Sequence, residues 1–333
     1  MMGTTHRTDT QPLHVSSDDI ATGVSWPLAI EAARRSAAAR AAGGVQCQRV
    51  TLDFAHGWMR LMAADVSSLG LFGYKEFHLA GDGSVRYCIH VFETATGKPV
   101  GIVDAALVTT LRTAATAAVA LEHIVGLGTS VRLGVVGSGA EALAGVAALN
   151  EVLKLDAVTV TSRSAANRAA FVSRVNDQIG LAIDAYPTPA EALEGVDVVY
   201  SATNSGGRVV LRHGDVAHVE VIASIGSTLP NQRELAGDVL VEADRIIFDT
   251  PDVFEESGDA LEAIAGGLDQ SRAELLGSAL QSDVLPDRSR RTVYKSIGSP
   301  EQDLVLASMI LDTAAEQGFG RRIDPLSAVK VNL

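Results

Sequence analysis

The feature that most constrains this chain is a short glycine-rich turn between a strand pattern and a helix pattern. Residues Ser130–Val136 form an apolar run, the turn reads Gly137-Ser138-Gly139-Ala140-Glu141-Ala142, and helical spacing continues from Glu141 to Leu153. Parallel strands that are buried on both faces have such continuous apolar runs. A strand, a glycine turn and a helix in this order predict the first βα unit of a doubly wound parallel sheet.

Strand and helix patterns alternate after the turn, and a different pattern precedes it. Downstream, strands are predicted at Ala157–Thr161, Ile183–Tyr186, Val196–Ser201, Glu220–Ile225 and Arg245–Phe248, with helices at Ala165–Ile179 and Pro187–Leu193. Upstream, turn signals separate five strand patterns of a mostly antiparallel sheet: Gln46–Phe54, Gly57–Ala63, Gly70–Leu79, Val85–Glu93 and Pro99–Asp104. Further helices are predicted at Pro27–Gly43, Leu107–Leu121 and Pro300–Gln317.

The change of pattern divides the chain into two parts. A length of 333 residues suits two domains of about 150 residues each. The boundaries are predicted near residue 126, where two glycines interrupt the pattern, and near residue 300. We therefore predict an α/β protein in which residues 126–300 form a Rossmann-type doubly wound parallel sheet and a smaller α/β domain precedes it.

Charge and cysteine content indicate which partners and which cellular compartment to expect. A formal net charge of −13 disfavours a nucleic-acid partner, because an acidic surface repels phosphodiester backbones. Cys47 and Cys88 have no metal-ligand spacing, which is typical of thiols in a reducing compartment. The segment Met1–Leu13 has no signal-peptide pattern, and no apolar run is expected to reach the about 20 residues of a membrane helix. We predict a cytoplasmic protein with no membrane partner.

The glycine turn also predicts a ligand. Gly137 permits the tight bend, Gly139 lets the backbone approach a pyrophosphate, and Ala142 is small enough for the helix to pack closely on the strand. The helix N-terminus offers N–H groups and a partial positive charge to phosphates. A dinucleotide is therefore expected against this turn. The residues expected to contact it here are Gly137, Ser138, Gly139, Ala140 and Glu141.

The end of the next strand distinguishes the two nicotinamide dinucleotides. An acidic residue about 20 positions further on would bind the ribose 2′-hydroxyl of NAD. This chain has Ser162, Arg163 and Ser164 there, and a planar guanidinium suits the oxygens of a 2′-phosphate. NADP(H) is therefore the favoured cofactor, and NAD(H) stays open as the alternative.

Several other segments follow one another in a characteristic order. They are Gly101-Ile102-Val103-Asp104-Ala105, Leu111-Arg112-Thr113-Ala114-Ala115, Ser201-Ala202-Thr203-Asn204-Ser205, Ile225-Gly226-Ser227-Thr228, Arg233-Glu234-Leu235, Glu256-Ser257-Gly258-Asp259 and Lys295-Ser296-Ile297-Gly298 with Asp303. Each motif is modest alone, but together with the glycine turn they are specific. Over about residues 45–305 the chain resembles the ornithine cyclodeaminase/mu-crystallin family.

The resemblance implies a domain arrangement and a class of reaction. Members have a substrate and dimerisation domain that the C-terminal segment completes, so residues 1–125 and 301–333 would form one domain and 126–300 the dinucleotide-binding domain. They are usually homodimers, and they include cyclodeaminases, alanine dehydrogenases and imine reductases. In all of them a hydride moves to or from the α-carbon of an amino or imino acid. The resemblance thus implies an NAD(P)-dependent oxidoreductase acting on such a small molecule.

The resemblance also implies which side chains act. Arg49, Lys75 and Arg112 would bind the substrate carboxylate, since cations suit that group. Lys75 would also exchange a proton with the substrate nitrogen, because nearby arginines lower the pKa of an amine. The remaining cofactor contacts implied are Thr113 at the pyrophosphate, Ala202, Thr203 and Asn204 beyond a strand end, and Ser296 at the nicotinamide.

Two positions depart from the cyclodeaminase pattern. Where cyclodeaminases and alanine dehydrogenases carry an aspartate, this chain has Thr228, and a hydroxyl cannot act as a general base near neutral pH. Where cyclodeaminases have a glutamate for a distal amine, this chain has Arg60, which would attract a second carboxylate. These departures favour reduction of a preformed imine, including a dicarboxylic one such as iminosuccinate.

Two other functions stay open at this point. One is a cyclodeaminase lyase that holds NAD tightly, and the other is a non-catalytic NADPH-binding protein of the crystallin type. No histidine or cysteine pair has ligand spacing, so no metal is predicted. The acidic stretch Asp252–Asp259 is interpreted as a solvated helix face.

Overall fold

The computed structural model describes residues 11–282 and 290–324, so most of the segment Met1–Leu13 lies outside the described residues. The elements up to residue 125 are β1 (Leu13–Val15), α1 (Ser17–Gly23), α2 (Trp26–Ala41), β2 (Gln46–Phe54), β3 (Gly57–Val66), β4 (Leu71–Leu79), β5 (Val85–Glu93), β6 (Pro99–Asp104) and α3 (Ala105–Val125). The next are β7 (Ser130–Val136), α4 (Ala140–Val152), β8 (Lys154–Thr161), α5 (Ala165–Ile179), β9 (Asp184–Tyr186), α6 (Pro189–Ala192), β10 (Val198–Ser201), β11 (Val221–Ser224), α7 (Gly237–Val241) and β12 (Arg245–Phe248). The last are α8 (Val253–Glu256), α9 (Gly258–Ala265), β13 (Ala273–Leu275), α10 (Leu276–Ala279), β14 (Thr292–Lys295), α11 (Pro300–Gln317) and β15 (Arg321–Arg322).

The chain forms two compact units. Unit 1 consists of Met1–Arg112 with Ser299–Leu333, and unit 2 is Thr113–Gly298. The second boundary falls beside the one predicted near residue 300, but the first lies within α3 instead of near residue 126. Gly126, with a φ of 100°, ends α3, and a glycine signal marks the end of a helix. The change of unit inside a continuous helix leaves no such signal.

Unit 1 is built on a seven-stranded sheet with the order β15-β1-β6-β5-β4-β3-β2. Strands β2 to β6 form the antiparallel meander that the turn signals predict. Helix α11 packs on one face so closely that a Cβ added at Gly73 would lie 2.7 Å from Leu304 Cδ1. Side chains alternate along a strand, so Lys75, two positions after Gly73, belongs to the same covered face.

The opposite face of this sheet keeps large apolar side chains in contact with solvent. Val50, Leu52 and Phe54 of the edge strand β2 are 55%, 56% and 46% exposed. On the same face the half-buried rings of Phe72 and Phe92 stack with centroids 5.1 Å apart. We call these five residues the outer face. Exposed apolar side chains that share one sheet face are typical of surfaces that meet a partner.

Unit 2 is an eight-stranded sheet with the order β13-β12-β14-β11-β10-β7-β8-β9, and all its described pairings are parallel. The α/β class and the doubly wound sheet predicted from the sequence are confirmed. The strand order reverses between β7 and β10, which places a crevice at their carboxyl ends. Strand β14 was not predicted, although all four of its residues are buried in the middle of the sheet.

Helix α3 corrects the expectation about apolar runs. Its 21 residues are long and apolar enough to cross a membrane by length and composition. However, 67% of its most apolar stretch is buried inside the protein, and Ala117, Ala118 and Val119 are fully inaccessible to solvent. A helix that is apolar on all sides is typical of a protein core as well as of a membrane.

Candidate active site

A cavity of about 1020 Å³ opens at the carboxyl ends of β7, β8, β10 and β11 in unit 2. This is the edge at which ligands bind in open parallel sheets. The predicted cofactor residues that line it are Gly137, Ser138, Gly139, Ala140, Glu141, Ser162, Arg163, Ser164, Ala202, Thr203 and Asn204. The structure therefore brings three separate sequence motifs together around one space.

The glycine turn has the geometry that its sequence predicts. Gly137 has a φ of 116°, and a Cβ there would lie 2.2 Å from the carbonyl oxygen of Ala202, so only glycine fits. Gly139 is the N-cap of α4, and a Cβ built on it meets nothing within 4 Å. Close packing of α4 on β10 depends on Gly145 as well, because a Cβ there would lie 2.1 Å from the Tyr200 ring.

The polar groups of the cavity fit a dinucleotide. The hydroxyl of Thr203 is buried and has no hydrogen-bond partner among the described residues, so it can still bind a ligand. The Ser138 hydroxyl donates to Ser162 Oγ at 2.9 Å, which joins the glycine turn to the end of β8. The N-terminus of α4 supplies N–H groups to an anion at the same place. Beside it, Arg163 is exposed at the cavity wall.

Two predicted cofactor residues lie outside the cavity lining. Thr113 is half-buried in α3. Ser296 is buried, and its hydroxyl donates to Asp249 Oδ2 at 2.7 Å. Asp249 also accepts from the backbone N–H of Gly298 at 2.8 Å, so this serine belongs to a fixed loop after β14. The contact of Ser296 with a nicotinamide stays a prediction.

Other residues line the cavity without having been predicted. They are Asn167, Arg208, Gln232 and Arg233, together with neighbours in the same loops. Two signals could have indicated them. Arg208 follows the glycine pair Gly206-Gly207 after a strand end, and Arg233 lies within a motif already quoted for the family resemblance.

A buried carboxylate ties the strand ends beneath the cavity. Glu234 is fully buried, and its Oε1 accepts from the Thr203 N–H at 2.7 Å. Its Oε2 accepts from the Ser224 hydroxyl at 2.7 Å and from the Gly226 N–H at 3.0 Å. Lys295 at the end of β14 donates to Ser224 Oγ at 3.1 Å. Glu234 and Lys295 thus join the ends of β10, β11 and β14.

The acidic stretch 252–259 is not a solvated helix face. Asp259 is fully buried, and its Oδ1 accepts from the backbone N–H groups of Glu234 and Leu235 at 2.8 and 3.1 Å. Its Oδ2 lies 3.4 Å from Lys295 Nζ. Burial raises the pKa of Asp259, while Lys295 opposes that shift. The sequence of an acidic stretch does not show which of its side chains is buried.

Unit 1 gathers the predicted substrate cations on one sheet face. Arg49, Met62 and Lys75 lie opposite one another across β2, β3 and β4. Arg60 is two residues before Met62, so it belongs to the same face and is diagonal to Arg49 and Lys75. It pairs across the strands with Phe77 and is half-buried. The four predicted cations of unit 1 are completed by Arg112, which projects from α3.

The aspartate Asp303 connects two of these cations. Its Oδ2 accepts from Lys75 Nζ at 2.7 Å, and its Oδ1 accepts from Arg112 Nε at 3.3 Å. Gln302 Oε1 accepts from Arg112 at 3.2 Å. Lys75 is 3% exposed and Arg112 is 8% exposed, so the cluster is nearly dry. The family motif includes Asp303, but the sequence alone assigned it no role.

Burial lowers the pKa of Lys75 to about 8. Asp303 raises this pKa, while Arg112 and Arg49 lower it. The predicted direction is therefore found, although burial and not the arginines is its main cause. An amine with a pKa near 8 can carry or release a proton around neutral pH, as a general acid or base requires.

Metal and disulfide chemistry have no counterpart in the described residues. Among residues 11–282 and 290–324, no group of three or more His, Cys, Asp or Glu side chains is placed to hold a metal ion. Cys47 and Cys88 are half-buried and form no disulfide. Burial raises the pKa of Cys47 to about 12, so this thiol is protonated near neutral pH.

Comparison with known sequences identifies the family. Residues 28–318 match the sequence profile of the Ornithine cyclodeaminase/mu-crystallin family. The chain belongs to this family. The resemblance seen in its motifs is thus confirmed, and the relatives of the chain include imine reductases.

Individual members of the ornithine cyclodeaminase/mu-crystallin family differ in their named activities. The chain is 25% identical to a Delta(1)-pyrroline-2-carboxylate reductase from Bacillus cereus over 253 residues, 73% of this chain and 76% of the relative. It is 30% identical to an L-lysine cyclodeaminase from Streptomyces rapamycinicus over 231 residues, 68% and 65% of the two chains. The solved iminosuccinate reductase of Paracoccus denitrificans has the same fold, with a TM-score of 0.84, 22% identity, and coverage of 94% and 99%.

Thr228, which the resemblance places where family cyclodeaminases carry an aspartate, lies at the cavity wall. Its N–H and its hydroxyl both donate to Gln232 Oε1, at 2.9 and 3.2 Å. Thr228, a residue of unit 2, is therefore held by a neutral amide. The preceding residue, Ser227, has a φ of 53°, and its hydroxyl donates to the Gln232 carbonyl at 2.8 Å.

Proposed function

We propose that this chain is an NAD(P)H-dependent reductase of an α-imino acid, which acts in reverse as a dehydrogenase of the amino acid. The observation that carries the proposal is the buried cluster of Lys75, Asp303 and Arg112. It offers a proton donor beside a carboxylate-binding cation. The cavity of unit 2, with its glycine turn, offers the cofactor site.

Different residues of the chain would bind the imino acid and transfer its proton. When bound, the reduced nicotinamide supplies a hydride to the α-carbon of the C=N bond. Arg112 and Arg49 bind the carboxylate by charge-assisted hydrogen bonds. Lys75, as an ammonium ion, gives a proton to the nitrogen and afterwards regains one from solvent. In sum one imine, one reduced cofactor and one proton become one amine and one oxidised cofactor.

The lyase alternative requires a group that this chain lacks at the matching position. Elimination of ammonia needs a carboxylate to handle the amine or the attacking water, and Thr228 with its amide partner Gln232 cannot do so near neutral pH. Cyclodeamination is the second candidate function, because the chain is 30% identical to the lysine cyclodeaminase from Streptomyces rapamycinicus. Lys75 is buried and has a pKa of about 8, which suits proton transfer. This argues against a protein that only binds the cofactor.

Within imino acids we favour a dicarboxylic substrate such as iminosuccinate, which would give aspartate. Arg60 lies on the same sheet face as Arg49 and Lys75 and is diagonal to both. Cross-strand diagonal positions are about 7–8 Å apart, a span that suits the two carboxylates of a four-carbon acid. The iminosuccinate reductase of Paracoccus denitrificans, which acts on such a substrate, shares the fold of this chain.

We favour NADP(H) over NAD(H) as the cofactor. Arg163 lies at the cavity wall between Ser162 and Ser164, and no acidic residue stands at the end of β8. A guanidinium flanked by hydroxyls suits a phosphate better than a ribose hydroxyl. We also propose that two copies associate through the outer face and that the enzyme is cytoplasmic, as its unpaired thiols and acidic charge favour.

A screen of imines tests the proposal. Oxaloacetate, pyruvate and glyoxylate, each with ammonia or methylamine, and Δ1-pyrroline-2-carboxylate are offered with NADPH and with NADH. We expect substrate-dependent loss of reduced-cofactor absorbance, abolished by Lys75→Met. The Arg60→Met variant should lose activity on the oxaloacetate imine and keep it on monocarboxylic imines. Cofactor binding without turnover on any imine, or ammonia release from ornithine without net cofactor use, would overturn the proposal.

A further inference from the structure

We propose that Asp303 is a positioning residue of this enzyme, whose carboxylate fixes the Lys75 ammonium against Arg112 and keeps that amine charged for proton transfer. The catalytic consequence rests on the proposed function. The physical claim about Lys75 does not, and it is tested without turnover. Asp303 belongs to the first turn of α11, where a negative charge is also favoured by the helix dipole.

Both oxygens of Asp303 are engaged, one with each cation. Oδ2 lies 2.7 Å from Lys75 Nζ, and Oδ1 lies 3.3 Å from Arg112 Nε. Asp303 is completely buried. An ammonium held at one atom by a buried carboxylate has a fixed direction, which proton transfer to a bound imine requires.

The charges around Lys75 make this carboxylate necessary. Lys75 is faced by Arg49 from β2, by Arg112 and Thr109 from α3, and by Asp303 from α11. These groups hold two positive charges and one negative charge, and the Lys75 ammonium adds a third positive charge. A buried amine beside two guanidinium groups releases its proton unless an anion offsets them. Among the groups that face Lys75 in the described residues, Asp303 is that anion.

The start of α11 does not depend on Asp303 for its anchorage. Glu301 is bound by both oxygens to Arg40, at 2.5 and 2.7 Å. The Ser299 hydroxyl donates to Glu301 at 2.6 Å. Because these contacts hold the helix end to α2, Asp303→Asn removes a charge from the cluster and leaves the fold supported.

Direct titration of Lys75 tests the inference. The chain has five lysines, Lys75, Lys98, Lys154, Lys295 and Lys330, so a spectrum of protein with ¹³C-labelled lysine is simple enough to assign by loss of one signal in Lys75→Arg. Asp303→Asn should lower the titration midpoint of Lys75 by about 1–3 pH units, the effect of an opposite charge at this distance. Glu316→Gln, the same change at an exposed site on α11, should leave it unchanged.

A second variant keeps the test decisive if Asp303→Asn does not fold. Arg112→Met removes a guanidinium that lowers the Lys75 pKa and competes with Lys75 for Asp303. The titration midpoint of Lys75 should therefore rise in this variant. A folded Asp303→Asn, or a folded Arg112→Met, with an unmoved midpoint would overturn the inference.

The pH dependence of imine reduction supplies the catalytic readout. Reduction needs charged Lys75, so its rate falls as pH rises through the Lys75 pKa, and Asp303→Asn should move that fall to lower pH. A rate reduced equally at every pH, with the fall unmoved, would assign Asp303 a structural role only. If the wild-type chain reduces no imine, the proposed function fails, while the lysine titration still decides the role of Asp303.

Discussion

Arg163 is the side chain on which the choice between the two nicotinamide cofactors depends. It follows β8 directly, it is exposed, and it lies at the wall of the cavity. Its neighbours Ser162 and Ser164 add hydroxyl donors on either side. A 2′-phosphate would gain charge-assisted hydrogen bonds here that a 2′-hydroxyl cannot make equally well.

Replacing Arg163 with Ala should therefore raise the KM for NADPH much more than the KM for NADH. Loss of one hydrogen bond to a charged group costs about 1.5–3 kcal/mol, which corresponds to roughly tenfold or more in KM. Steady-state kinetics with both cofactors measure the difference. Arg132→Ala, at the start of β7 and away from the cavity lining, is the control and should change neither value. An equal rise for both cofactors would contradict the preference for NADP(H).

Which residues line the cavity was predictable where the information is local. The glycine turn, Arg163 and Thr203 belong to short motifs at strand ends, and the structure places all three at one cavity. The partnership of Lys75 with Asp303 was not predictable, because 228 residues separate them along the chain. A contact of that kind depends on tertiary packing, and a single sequence does not record it.

The ends of parallel strands carry the cofactor cavity, and a buried ionic network holds those ends together. Glu234 accepts hydrogen bonds from Thr203, Ser224 and Gly226, and Lys295 binds the same serine from the next strand. Two of the three donors belong to residues that line the cavity, Thr203 and Gly226. The shape of the cavity wall therefore depends on one carboxylate that lies behind it.

The Glu234→Gln variant tests this dependence. An amide has nearly the same shape, but its NH₂ group would face a donor, so the free energy of unfolding should fall by about 1.5–3 kcal/mol. The Kd values for NADPH and NADH should rise together, unlike the selective effect at Arg163. Thermal unfolding and calorimetry measure the two effects, with Glu242→Gln at an exposed helix end as the control. A folded Glu234→Gln protein with unchanged Kd values would contradict this role.

Strands and helices were predictable to the extent that their patterns are long. Strands β2, β5, β6, β7 and β12 and helices α5 and α11 have the bounds that the sequence predicted. Strand β14 has four residues, all buried, and a run that short shows neither alternation nor helical spacing. Residues 252–259 were misinterpreted for a related reason, since Asp259 turns inward to reach backbone donors of a distant segment.

At the scale of the whole molecule, the outer face of unit 1 is an exposed apolar surface that a partner would cover. Side chains such as Leu52, 56% exposed on an edge strand, invite association or aggregation when they stay in contact with water. A second copy of the chain is the occupant that we propose. The resemblance to family members that are usually homodimers agrees with this proposal.

Replacing Leu52 with Glu should weaken or abolish the homodimer, because a carboxylate buried in an apolar interface is strongly disfavoured. Sedimentation velocity across a range of concentrations measures the shift from dimer to monomer. Leu127→Glu is the matched control, since Leu127 is 71% exposed on a loop of unit 2. A wild-type protein that is monomeric, or a Leu52→Glu protein that stays dimeric, would contradict association through the outer face.

Transfer of a labelled hydride tests imine reduction most directly. The imine with the highest turnover is reduced with NADPH, or NADH if that is preferred, carrying deuterium in both positions at nicotinamide C4. We expect the amine product to carry one deuterium on its α-carbon, as shown by mass spectrometry and proton NMR, and the hydrogen on nitrogen to come from solvent. An α-carbon without deuterium, or no amine formed while the cofactor stays bound, would contradict the proposed reaction.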